Sequence, residues 1–417
     1  MDLREQRGVV IAATKNVKRY GDRWKVPSQT GNGFYMVSHI AEHEPQCSCP
    51  DWETRRLKCK HIFAALYVMQ RELFPDGTER VTETIAIATE RPTYPQVWKA
   101  YNAAQTNEKD EFQTLLADLC QTVNQPQAKR AGRPNLPLSD AIFSVAFKVY
   151  STVSARRFMS DLRDAQEKGF ISRTPHYNSI FHYLENPEMT PILRNLITQS
   201  SLPLQSIETD FAVDSSGFMT TRFARWFDVK YGKEQIKREW VKCHLICGVR
   251  TNIVTGVEIG DKHASDVKFF PPLVEATAKN FTISEVSADK AYGGNLTTDA
   301  VHKFGGTPFI SFKGNATGGI GGTFGQMFHY FMYKREEFLQ HYHKRSNVES
   351  TFSMIKRKFG DSLRSRTDVA MVNETLCKIL CHNLVVLIHE MYELGIDATF
   401  CPKTKVIAQK PSAMMGL

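Results

Sequence analysis

FTISEVSADKAYGGNLTTDAVHKFGGTPFISFK, residues 281–313, reads as strand, helix, strand. Apolar and β-branched residues run up to Asp289, Tyr292-Gly-Gly breaks the run, a short helical pattern begins near Leu296, and TPFISFK extends again. Two strands joined through a helix belong side by side and parallel, which makes this an α/β unit. Upstream, three segments read as strands joined antiparallel: SIETDFAVDSS from 206, RFARWFDVKYG from 222 and WVKCHLICGVRTNIVTGVEIG from 240. A helical stretch then opens at Asp266. Downstream, GNATGGIGGTFG reads as a flexible loop, and a long helix is predicted from about 344 to 359. Three antiparallel strands, then helix, strand, helix, strand and a closing helix, is the order of a ribonuclease H-like α/β fold.

Asp214 lies inside the first of these strands and Asp289 ends the fourth. A carboxylate among apolar residues is costly to bury unless it has a cationic partner. Two acids on adjacent strands, with a third on a helix crossing them, can share two Mg²⁺ ions and serve phosphoryl transfer. Glu349 is the candidate third. At 100° per residue Tyr342, Arg345, Glu349 and Lys356 fall within about 60° on a helix surface, beside an apolar stripe of Val348, Phe352, Ile355 and Phe359. Arg345 and Lys356 are then placed to clamp DNA phosphates, and Tyr342 beside them is a further expected DNA contact. Singly, each feature also reads as something plainer: a turn-capping Asp, or a solvated salt-bridged face.

Tyr342, two residues, Arg345, three residues, Glu349, six residues, Lys356 resembles the signature around the catalytic Glu of bacterial insertion-sequence transposases of the DDE class. AVDSSG and ADKAYGG resemble that family's first and second Asp motifs. The resemblance covers about 130 to 390. It implies catalytic Asp214, Asp289 and Glu349 holding two Mg²⁺ or Mn²⁺ ions, and an enzyme that binds terminal inverted repeats, cuts the 3′ ends and joins them to a target. It also implies double-stranded DNA, both transposon ends and target, as partner, and a homodimer or higher oligomer on that DNA. Some relatives carry a β insertion with a Trp that stacks on a flipped base; residues 290–348 contain no Trp, which argues against a hairpin route. Two other readings stay open: a domesticated DNA-binding regulator, and a ribonuclease H-like nuclease without strand transfer.

Cys47-x-Cys49, nine residues, Cys59-x-His61 offers three thiolates and an imidazole, a tetrahedral set for one structural Zn²⁺. The first pair follows the strand GFYMVSHI and the second opens the helix HIFAALYVMQREL, so a ββα unit is expected to close on the ion. The pattern, with Trp52 inside it, resembles the SWIM zinc finger, a module thought to bind DNA or protein.

The 417 residues suffice for several domains: a zinc module at 1–77, a linker at 78–137 with one short helix at most, a helical region at 138–205, the catalytic unit at 206–365, and a C-terminal helix and tail at 366–417. Arg133, in Gly-Arg-Pro, partly echoes an AT-hook; a plain basic linker is the alternative. In the helical region Ser139 is a plausible cap, and Arg156, Arg157, Arg163 and Arg173 suit either a helix-turn-helix entering a major groove or a spacer that touches no bases. Fifty-three Lys and Arg against 44 Asp and Glu leave +9, which suits a phosphate-bearing partner. Seven of those basic residues fall between Lys344 and Arg366, against two acids. No run approaches the ~18 to 20 consecutive apolar residues of a membrane span and the start lacks a signal peptide, so a cytoplasmic, nucleoid-associated protein without a membrane partner is expected. Cys377, Cys381 and His382, and Cys243 with Cys247, are read as core residues. His263 is read as a loop residue, and Ser215 and Ser216 lack a nucleophile elbow.

Overall fold

The computed structural model describes residues 3–29, 33–40, 44–72, 97–124, 136–220, 240–260, 265–314, 316–317 and 321–401. RFARWFDVKYG, Arg133 and His263 lie outside them. The chain divides into two compact units, Met1–Pro95 and Gln96–Leu417.

The first unit is larger than ββα. Helix α1 (Leu3–Thr14) precedes four strands, β1 (Lys18–Tyr20), β2 (Arg23–Pro27), β3 (Phe34–Ser38) and β4 (Gln46–Cys47), and helices α2 (Pro50–Arg55) and α3 (Lys60–Glu72) follow. The strands pair antiparallel in chain order. Trp24, Val26 and Val37 turn inward to a core shared with Ile11, Ile62 and Ala65. Gly8 lets α1 lie against α3: a Cβ there would meet the Phe63 Cβ at 2.5 Å and the Lys60 carbonyl oxygen at 2.9 Å.

The second unit opens with a correction. The expected linker contains α4 (Trp98–Gln121), two dozen residues long, which buries Ala104, Glu108, Phe112, Leu115, Leu116, Leu119 and Cys120 along one stripe. Helices α5 (Leu138–Ser151), α6 (Ala155–Glu167), α7 (Tyr177–Leu184) and α8 (Met189–Ser201) come next. Ser139 does not cap α5: Pro137 stands at the N-cap position without a side-chain cap, and Ser139 is buried inside the helix beside Asp140, whose carboxylate accepts from the Ser172 amide at 2.8 Å. These helices share one continuous apolar core with the sheet that follows.

That sheet has the order β7-β6-β5-β8-β9, with β5 at Asp210–Met219, β6 at Trp240–Gly248, β7 at Val254–Gly260, β8 at Glu285–Ala288 and β9 at Thr307–Ile310. The first three are antiparallel; β8 and β9 run parallel to β5, as the strand-helix-strand reading required. Residues 240–260, expected as one strand, form a hairpin, β6 and β7. Its turn carries Asn252 at φ 64°, a left-handed position that Asn tolerates better than most residues.

Helices α9 (Phe270–Ala278) and α10 (Asn295–His302) cover one face of the sheet through Phe270, Leu273, Val274 and Val301. Two helices the loop reading missed, α11 (Gly322–Tyr333) and α12 (Arg335–Tyr342), pack around Phe309, Phe312 and Phe338. The closing helix α13 spans Ser346–Phe359 and ends at Gly360, φ 86°. Helix α14 (Asp368–Glu393) is long and apolar enough to cross a membrane by composition, yet it is the central core helix of this unit. The architecture is thus multidomain α/β: a small strand module, a helical region and a mixed sheet.

Candidate active site and metal centre

Alternation along β5 sorts its residues. Phe211 and Val213 face α9, whereas Ala212 and Phe218 face the core shared with α13 and α14. Asp214 and Ser216 lie on this second face. In the parallel ladder Val213 is level with Ala288, so Asp214 and Asp289 are the next residues along neighbouring strands, near enough for the Asp289 charge to act on Asp214. β8 ends there because Asp289 turns to cap a short 3-10 helix, its carboxylate accepting from the Lys290 amide.

Glu349 comes to the same face from the first turn of α13. That helix buries Val348, Thr351, Phe352, Ile355 and Phe359, the predicted stripe with Thr351 added, and leaves the Glu349 side chain 55% exposed at its flank. Arg345 donates to Glu349 at 2.7 Å. The single long helix from 344 is broken, however: Tyr342 belongs to α12, and 343–345 form a 3-10 turn. Tyr342 stacks on Phe338, and the Arg345 guanidinium lies 5.6 Å above its ring. The turn is held to the sheet by Lys344, which donates to Asp210 and pairs with Glu285, each at 2.7 Å, while His341 meets Glu285 at 2.6 Å. Lys344 therefore anchors the helix rather than standing out for DNA.

Lys356, two turns beyond Glu349, donates to Ser216 at 2.6 Å, and burial lowers its pKa. An open cleft of about 580 Å³ runs between β5 and α13, lined by Asp214, Ser216, Glu349, Lys356, Arg357 and Asp361 among others. The Asp214 carboxyl is raised above the usual carboxylate range, first by burial and then by the charges of Asp289 and Glu349; the Ser215 amide and Arg345 pull the other way. Three mutually repelling carboxylates, Asp214 among them half-buried, make a donor set that suits divalent cations.

Ser216 and Asp361 were not singled out from the sequence as cleft residues. The Asp214-Ser-Ser216 alternation puts Ser216 beside Asp214, and Asp361 follows the glycine that ends α13. The basic run is mostly engaged within the fold: Lys358 donates to Glu108, and Arg364 to the Val153 carbonyl. Arg156 and Arg157 are exposed on α6, with Arg156 5.2 Å over the Tyr177 ring. Cys243, Cys247, Cys377, Cys381 and His382 are buried core, His382 meeting the Asn252 carbonyl at 2.9 Å. None of the nine cysteines is in a disulfide.

In the first unit the ligand atoms of Cys47, Cys49, Cys59 and His61 lie within 4.8 Å of one another, all buried. Cys47 ends β4, Cys49 caps α2 by accepting from the Trp52 amide at 3.4 Å, and Cys59 and His61 open α3. His61 Nδ1 stands 3.9 Å from both the Cys47 and Cys59 sulfurs. Bonds of about 2.3 Å from zinc to sulfur imply ligand atoms roughly 3.5 to 4 Å apart, so the spacing fits Zn²⁺. The Cys59 thiol is pulled down, foremost by the hydrogen bond from Cys47, whose own thiol is pushed up by the same contact. A thiolate beside an imidazole is a zinc donor set.

The family description "Transposase DDE domain" matches residues 205–384, and "SWIM zinc finger" matches residues 40–70. No curated protein matches the chain. A cryo-EM structure of a piggyBac transposase synaptic complex with hairpin DNA is similar at 10% identity over 69% of this chain and 74% of that one, with a TM-score of 0.33, too slight a likeness to argue from. Over residues 205–384 the chain is thus similar to the transposase DDE domain and, ahead of it, over residues 40–70, to the SWIM zinc finger.

Proposed function

We propose that this chain is a DNA transposase that cleaves at transposon ends and joins the freed 3′ ends to target DNA, with Asp214, Asp289 and Glu349 as its catalytic acids. The observation that carries the reading is the convergence of these acids on one sheet face inside the stretch that matches the DDE domain. The sheet order, with three antiparallel strands and two parallel ones beyond β5, supports a ribonuclease H-like fold.

Asp214 and Asp289 present oxygens from the sheet, and Glu349 closes the set from the helix, its rotamer held by Arg345. Bound divalent cations, Mg²⁺ or Mn²⁺ in this reading, supply activation of the attacking oxygen and stabilisation of the leaving oxygen. Lys356, fixed by Ser216, and Arg357 line the cleft where a scissile strand would lie and hold its phosphates in register. Double-stranded DNA is the partner, engaged as a homodimer or larger assembly because two transposon ends have to be processed together. Tyr342 orients Arg345 rather than touching DNA, and Arg133, Arg156 and Arg157 are proposed phosphate contacts outside the cleft.

Asp214→Ala, Asp289→Ala and Glu349→Ala are each expected to abolish cleavage and joining of labelled end duplexes while leaving duplex binding by gel shift near the parental level. Substantial metal-dependent turnover by any one variant removes that residue from the set. Cleavage without joining by the parental protein would favour a nuclease.

A further inference from the structure

We propose that the outer face of the N-terminal sheet binds single-stranded DNA, with Lys18, Arg23 and Lys25 holding phosphates and Tyr20 and Phe34 stacking on bases. The inference rests on the reading that the chain acts on DNA, and it adds a site that precedes the stretch matched as a SWIM finger.

In an antiparallel pair, residues level with each other point to the same side. Lys18 is level with Lys25 and Tyr20 with Arg23; Lys25 is in turn level with Met36, and Pro27 with Phe34. These residues therefore make one surface, while Trp24, Val26 and Val37 fill the other beneath α1 and α3. On the outer surface Tyr20 is 75% and Phe34 52% exposed.

Three features of this surface point to the occupant. Like charges directly opposed across a ladder destabilise it, so the Lys18-Lys25 pair calls for an anion between them. The Lys25 ammonium lies 3.8 Å from the Phe34 ring centre, which sets a phosphate-binding cation beside a stacking platform. Among β1, β2 and β3 with the β1-β2 turn, the only acid is Asp22, 4.0 Å from Arg23. A duplex keeps its base faces in its own stack, so exposed rings among cations suit unpaired bases. An acidic protein would have use for the charges but not for the rings.

The test uses the full-length zinc-loaded chain, an oligothymidylate of about 15 nucleotides and a duplex of equal length, with anisotropy read from about 50 to 300 mM NaCl. Tyr20→Ala and Phe34→Ala should each weaken oligothymidylate binding about tenfold, and Phe34→Trp should retain it. Lys18→Gln with Lys25→Gln should flatten the logarithmic salt slope by about 1.4, near 0.7 for each phosphate no longer neutralised. Zinc content equal to the parent's shows that each variant is folded. A bromodeoxyuridine-substituted strand should photocrosslink to residues 18–36. Oligothymidylate binding unchanged in all these variants, crosslinks only beyond residue 96, equal losses on duplex and single strand, or loss of polyglutamate binding instead would overturn the assignment. If the variants pass unchanged while the parent still cleaves duplex, only this surface falls. If the parent cleaves nothing, the transposase reading falls instead.

Discussion

Asp214 shows how a single residue is shaped by conflicting demands. Its neighbours Ala212 and Val213 are fully buried, and it shares their strand, so desolvation and two nearby carboxylates both disfavour its charge. Asp214→Asn should therefore stabilise the metal-free protein by about 1 kcal/mol in urea titration while abolishing turnover, because it removes the repulsion together with a ligand. Unchanged or lowered stability would mean that the repulsion is already relieved within the fold. The basic neighbours are predicted to act on phosphate rather than on metal. Arg345→Ala and Lys356→Ala should each flatten the salt dependence of end binding by about one unit of slope; parental slopes in both would reject the clamp role. Lys356 was legible in the sequence by its spacing from Glu349. Its Ser216 partner was not, because a bond across more than a hundred residues leaves no mark in local periodicity.

Helix α14 carries most at the scale of elements. Asn383, fully buried within it, accepts from the Val254 amide at 2.9 Å and donates to the carbonyls of Val254 at 2.7 Å and Ile197 at 3.2 Å, joining α14 to β7 and α8. Asn383→Leu should cost about 2 to 4 kcal/mol by urea denaturation, since several buried backbone groups would be left without a partner. A cost under about 1 kcal/mol would show that those groups find others. Near the end of the same helix burial, helped by Glu393 and Glu208, raises Glu390 to about 7. A carboxyl raised in the folded state contributes stability that is full below its unfolded value of 4.5 and lost as pH rises through 7. Glu390→Gln should remove that decline and gain about 1 kcal/mol at pH 8, a figure reduced for partial solvent screening; parallel pH profiles for variant and parent would contradict it. Elements with strong periodicity, such as β5, β8 and α13, could be read from the chain. Helix α4 could not: Pro92, Pro95 and a charge-rich surface masked a buried stripe that repeats every three or four residues. The hairpin turn between β6 and β7 was hidden likewise, because its left-handed residue is Asn252 among β-branched neighbours rather than a glycine pair.

At the scale of the whole molecule Met1–Pro95 and Gln96–Leu417 are two compact units, each with a core of its own. Three Cys and one His would fill a tetrahedron and leave no position for substrate, so a zinc held there would act through folding. Cys59→Ser should lose one zinc per chain by elemental analysis and expose residues from about 30 to 75 to protease, while the unit from 96 onward stays folded; a stoichiometric zinc in that variant would refute the ligand set. The Cys47, Cys49, Cys59 and His61 cluster was legible because metal chemistry restricts residue type and spacing. The extra helix and hairpin of the module were not, since nothing but packing demands them. If Asp214, Asp289 and Glu349, far apart in sequence, hold divalent cations together, iron-directed scission will reveal it. Fe²⁺ with ascorbate and peroxide generates radicals that cut the backbone beside the bound ion. Cuts are expected near residues 214, 289 and 349 together, suppressed by excess Mg²⁺ and absent in Asp214→Asn. Cuts confined to other segments, or cuts at these three that persist in Asp214→Asn, would contradict it.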